Sequence, residues 1–136
     1  MMVLLCHVPK DFGQRRREQK LRKILCRWAV RKNRRLSKMA EADCRNDVGA
    51  VSAALGLAVV NDAEDLNAVA LFRERFPLGL LVTVVFNPDH DLLVSLQRYS
   101  PSFLALSEMD DAALPQVLDQ LCRRMKRKEA KALLEA

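Results

Sequence analysis

The chain has 136 residues, of which half are hydrophobic, 29% are charged, four are glycine and five proline. That length and balance fit one folded domain without disulfide or metal staples, and they exclude disorder along the whole chain. No apolar run approaches the about 20 residues of a membrane span, and Met1–Leu5 is too short for a secretory signal core.

Four cysteines, Cys6, Cys26, Cys44 and Cys122, lie too far apart for a zinc or redox pair. Reduced thiols and a cytoplasmic or nuclear setting are therefore expected. The arginine-rich, acid-poor composition of residues 1–40 also fits a mitochondrial transit segment.

The net charge of +6 hides a partition. Residues 10–38 hold 13 Lys or Arg against two acids, and residues 120–136 hold six against two. Between them, residues 39–119 hold four basic side chains against 13 acidic ones. Basic ends of this kind either face outward towards phosphate or an acidic partner, or cover the acidic middle of the same or a second copy.

In chain order, Val3–Val8 is short, apolar and ended by Pro9, and reads as an edge strand. From Gln14 to Ala42 there is no Pro or Gly, and the pattern predicts one long basic amphipathic helix. Leu21, Leu25, Trp28, Leu36 and Met39 trace its apolar stripe, interrupted at Lys32. Residues 43–47 are polar and break the helix; residues 48–55 read as a short helix with Gly56 as its cap. Residues 57–60 fit strand and helix equally.

Asn61 or Asp62 is placed to cap a helix over residues 62–76, closed by Phe76-Pro77. Leu80–Phe86 and Leu92–Tyr99 are rich in Val, Leu and aromatics, with the turn-forming Asn87–Asp91 between them, and predict an antiparallel hairpin. Residues 103–106 would add a third short strand. A last helix over residues 111–130 carries Leu114, Val117, Leu118, Leu121, Cys122 and Met125 at helical spacing and ends in a basic run. Val84, Phe86, Val94 and Leu96 are expected to face that helix, because each stripe must bury its apolar side.

The fold class expected is thus α+β: an antiparallel hairpin or three-stranded sheet packed on helices, with a long basic N-terminal amphipathic helix. Two units follow, a strand and helical arm over 1–42 and a compact domain over 43–136.

Chemistry-bearing motifs are sparse. Asp89, His90 and Asp91 are consecutive on a turn and do not converge on one ion, and Cys6 and His7 point to opposite strand faces. No glycine-rich phosphate loop, G-x-S-x-G elbow or paired-glutamate motif is present. No catalytic, cofactor or metal residues are assigned, and no small-molecule ligand is expected.

The function expected is a non-enzymatic protein-interaction or adaptor role, assembling through basic amphipathic helices as a homodimer or with a protein partner. Leu21, Leu25, Trp28, Leu36 and Met39 would form that partner contact. The alternative is a nucleic-acid-binding protein whose Arg15, Arg16, Arg17, Arg27, Arg31, Arg34 and Arg35 contact phosphates. The interrupted apolar side disfavours a membrane surface. One aromatic on the helix, and no recognition motif, leaves nucleic acid without a means of reading bases.

Overall fold

The computed structural model describes residues 2–31, 36–38, 53–86, 89–106 and 113–135. Five strands form one parallel sheet: β1 (Met2–His7), β2 (Leu36–Lys38), β3 (Ala53–Val60), β4 (Leu80–Val85) and β5 (Phe103–Leu106), in the order β2-β1-β3-β4-β5. The four long strands carry the sheet, and the three-residue β2 edges it. Among the described residues, four α-helices accompany them: α1 (Arg16–Arg31), α2 (Leu66–Arg75), α3 (His90–Gln97) and α4 (Ala113–Glu135).

The alternation of each strand divides the core in two. Leu4, Leu55, Leu57, Val59, Val82 and Val84 point to the side covered by α1 and α4, where Leu21, Trp28, Leu118 and Met125 meet them. Leu5, Ala58, Val60, Leu81 and Val85 point to the other side, against Val69 and Phe72 of α2 and Leu92 and Leu96 of α3. A sheet buried on both faces needs strands that are apolar on both faces, and all six residues of β4 are buried.

The antiparallel hairpin is therefore corrected. β4 pairs in parallel with β3 through Leu55↔Leu80 to Val60↔Val85, and with β5 through Val82↔Phe103 to Val85↔Leu106. The segment read as the second hairpin strand is the helix α3. Leu92 and Leu96 stand one turn apart and are buried, whereas Val94 points away and is 49% exposed. Val84 and Phe86 do pack with Leu114, Val117, Leu118 and Leu121 as expected, while Leu96 belongs to the opposite core and Val94 to neither.

The long N-terminal helical arm is corrected as well. α1 ends at Arg31, and Leu36–Lys38 is a strand that pairs with β1 through Leu4↔Leu36 to Cys6↔Lys38. β1 in turn is no edge strand, since it lies between β2 and β3. Residues 53–60, divided in the sequence reading between helix and an undecided run, form β3. The expected polar break at 43–47, the start of the short helix at 48–52 and the Asn87-Pro88 turn lie outside the described residues.

The helix expected over 62–76 begins as a 3-10 turn, Ala63–Asp65, and continues as α2. Asp62 caps it by accepting from the backbone N–H groups of Glu64 and Asp65 at 3.0 and 3.3 Å.

Candidate functional site

In doubly wound parallel sheets, ligands bind beyond the carboxyl ends of the strands, where the strand order reverses direction. Here that point lies between β1 and β3, because the chain leaving β1 enters α1 on one face and the chain leaving β3 enters α2 on the other. His7 ends β1 and Asn61 follows β3.

The two ends are bridged by the chain itself. His7 Nε2 lies 2.9 Å from Asp65 Oδ1 in the 3-10 turn. The second carboxylate oxygen, Oδ2, accepts from the backbone N–H of Asn61 at 2.8 Å and of Asp62 at 3.2 Å. Since an ionised carboxylate only accepts, His7 is the donor in the first bond. Asp62 and Asp65 thus cap each other's backbone, a reciprocal box in which Asp65 also ties the turn to β1. Asp65 is 7% exposed, and the buried Oδ1 of Asn61 beside it has no hydrogen-bond partner among the described residues.

Neither His7 nor Asp65 was assigned a site role from the sequence. The Asp-x-x-Asp spacing signals the reciprocal cap, but the contact with a histidine 58 residues away has no local signature. Among the described residues, no group of three or more His, Cys, Asp or Glu side chains is arranged to hold a metal ion. None of the helices, over the same residues, is long and apolar enough to cross a membrane.

The partner-contact stripe assigned from the sequence sits elsewhere. Leu21, Leu25 and Trp28 are 1%, 7% and 2% exposed and form part of the chain's own core. Trp28 also donates its indole N–H to Asp119 Oδ1 of α4 at 2.9 Å. The reason is the topology: α1 is a crossover helix, and its apolar side is what holds it to the sheet. Leu36 lies in β2, and Met39 lies outside the described residues.

The arginines assigned to phosphate behave differently. Arg15, Arg16, Arg17, Arg27 and Arg31 are all exposed, and Arg34 and Arg35 lie outside the described residues. Among the described residues, the acidic side chain that pairs with one of these five is Glu18, whose Oε2 is 4.0 Å from Arg15 Nε. Glu18 itself is buried in the first turn of α1.

No protein-family model matches this chain, and no curated protein matches it in sequence. Solved structures do match in fold. A pilus assembly-related protein of Burkholderia pseudomallei aligns with a TM-score of 0.53 at 16% identity, over 88% of this chain and 89% of that one. Vibrio cholerae chemotaxis protein CheY4 aligns at 0.57 and 8% identity, over 89% and 99%. The signal receiver domain of a LuxO repressor protein from Vibrio parahaemolyticus aligns at 0.58 and 9% identity, over 100% and 99%. At these identities the likeness establishes the fold: a parallel α/β sandwich of the CheY-like receiver type.

Proposed function

We propose that this chain is a non-enzymatic adaptor domain, which uses a receiver-type fold to present helix surfaces to a protein partner. The observation that carries this reading is the His7–Asp65 bridge across the point where the strand order reverses. The place where the fold ordinarily receives a ligand holds a hydrogen-bonded side-chain pair of the chain's own instead. Two of the structures similar in fold are a pilus assembly-related protein and a chemotaxis protein.

The protein-contacting side in this reading is that of α2 and α3. Of the large apolar side chains exposed among the described residues, Leu71 on α2, Leu78 just after it and Val94 on α3 belong to this side. Leu78 is 90% exposed. These exposed side chains are the apolar contacts that the reading assigns to a partner.

Two measurements test the proposal together. A thermal-shift series with divalent cations, nucleotides and inorganic phosphate is expected to show no stabilisation that depends on His7. A photo-crosslinking residue at position 78 or 94 is expected to trap one stoichiometric protein partner, and one at position 30 is not. Saturable stabilisation by a small ligand that disappears in His7→Ala would overturn the adaptor reading.

A further inference from the structure

The outward side of α1 carries a continuous row of positive charge. Arg16, Lys20, Lys23, Arg27 and Arg31 are each exposed, and they follow one another at spacings of four, three, four and four residues. At 3.6 residues per turn these five fall within roughly 80° of arc, along about 22 Å of helix. Like charges at such spacings repel each other, so the row weakens the helix that carries it. Among the described residues no acidic side chain pairs with any of the five.

The neighbouring helix extends the same surface. α4 lies beside α1 on the same sheet face, tied to it through Trp28 and Asp119, and its Arg123 and Arg127 are exposed. The acids close to α1 are engaged elsewhere: Glu18 is buried in its first turn with Arg15 alongside, and Asp119 of α4 accepts from Trp28, while Asp62, Asp65, Asp89 and Asp91 belong to the turns and helices of the opposite layer.

Three kinds of anionic partner compete for such a surface, and their physics separates them. Protein interfaces are depleted of lysine at their centres, and exposed ion pairs return little against the cost of association. A lipid surface takes a basic amphipathic helix by burying its apolar side, but here Leu21, Leu25 and Trp28 are committed to the core. A nucleic-acid backbone needs neither an apolar anchor nor an aromatic, because each phosphate contact releases condensed counterions.

We propose that the outer face of α1 binds the phosphate backbone of duplex nucleic acid, without reading its sequence. The backbone lies along the row from Arg16 to Arg31, with the arginine forks and lysine ammonium groups on successive phosphates. α1 is packed along its length against the sheet and α4, so it lies on the duplex and does not enter a groove. This surface is on the opposite side of the sheet from the one assigned to a protein partner, so the adaptor reading stands or falls separately.

The test is fluorescence anisotropy of the full chain with labelled duplexes of two unrelated sequences over a salt series. Five phosphate contacts give a slope of about −4.5 in log affinity against log salt, or a roughly 500-fold loss between about 50 and 200 mM. The variant Lys23→Ala/Arg27→Ala is expected to reduce the slope by about two, equally for both sequences. Lys10→Ala/Arg98→Ala removes the same charge from exposed positions off the row and is expected to leave the slope unchanged. Melting curves of both variants establish that each remains folded.

Equal losses in the two variants would overturn the proposal, since net charge alone would then explain binding. Comparable affinity for poly-glutamate would overturn it in favour of an acidic protein. Capture by phosphatidylserine vesicles at a salt concentration that abolishes duplex binding would overturn it in favour of a lipid surface. Strong preference for one duplex sequence would overturn the backbone-only mode.

Discussion

The imidazole of His7 and the carboxylate of Asp65, 58 residues apart in the chain, meet at 2.9 Å. Asp65 serves three donors at once, because its other oxygen takes the backbone N–H groups of Asn61 and Asp62. The pair therefore does more than join β1 to the 3-10 turn. It satisfies the two backbone donors exposed as the chain leaves β3, which the sheet itself cannot satisfy.

The two partners should consequently differ in what they cost to remove. Asp65→Ala strands two backbone donors and the imidazole, and is expected to lower stability by about 2–3 kcal/mol. His7→Ala removes one donor whose side chain is 25% exposed, and is expected to cost about 1 kcal/mol. Urea unfolding of both variants checks the order. Equal losses would mean that the backbone contacts of Asp65 contribute nothing.

Leu96 and Val94 separate the helix α3 from the hairpin strand that the sequence suggested. On a strand, residues two apart share a face and would be buried together. On α3, Leu96 is fully buried and Val94 half exposed. Leu96→Ala is expected to cost about 2–5 kcal/mol and Val94→Ala within about 0.5 kcal/mol. Similar losses at both positions, measured by chemical denaturation, would restore the strand.

That contrast shows where the sequence was legible. The stripes of α1 and α4 and the Asp62 cap are local patterns, and helices stand at those places, though α1 stops well short of residue 42. The parallel sheet was also written in β4, whose six consecutive buried residues leave no side for water. A run apolar on both faces calls for helices on both faces, and hence for a helix between β4 and β5. Residues 92–99 also fit a period of two, which points instead to a strand. Leu92 and Leu96 satisfy both periods, and only the partly exposed Val94 distinguishes them. At the candidate site, the reciprocal cap is a spacing motif and could be read. The meeting of His7 with Asp65 depends on β1 lying beside β3, which no local pattern reports.

Arg73 anchors the opposite end of the α2–α3 layer through backbone carbonyls. Its guanidinium donates to the carbonyl oxygens of Tyr99, Phe76, Pro77, Gly79 and Ser100 at 2.8–3.3 Å. Burial lowers its pKa from the ordinary arginine value. Five acceptors spread over Nε and both terminal nitrogens suit a fork of fixed donors, and a lysine ammonium with three donors on one atom cannot reach them together. Arg73→Lys is therefore expected to cost about 2 kcal/mol despite the retained charge. Hydrogen exchange should localise the loss to the turns around residues 76–79 and 99–100. A lysine variant as stable and as protected as the parent would show that charge alone suffices.

Trp28 decides between a core and an interface for the apolar side of α1. It is the chain's single tryptophan, 2% exposed, packed with Leu4, Leu25, Leu55, Leu57 and Leu118, and its N–H is bonded to Asp119. A core role makes its environment independent of concentration, so its fluorescence should be blue-shifted and resist acrylamide equally across dilution. Trp28→Phe keeps most of the packing but loses the donor to Asp119, and is expected to cost about 1–2 kcal/mol. Trp28→Ala leaves a cavity between α1, the sheet and α4, with an expected cost of about 3–5 kcal/mol. Trp28→Asp places a second carboxylate beside Asp119 in that cavity, and should abolish cooperative unfolding altogether. Sedimentation of the folded Trp28→Phe variant completes the test, because a core residue can be altered without changing the assembly state. If Trp28→Asp instead yielded a folded monomer from a parent that self-associates, the stripe of α1 would be an interface and its place in the core would be wrong.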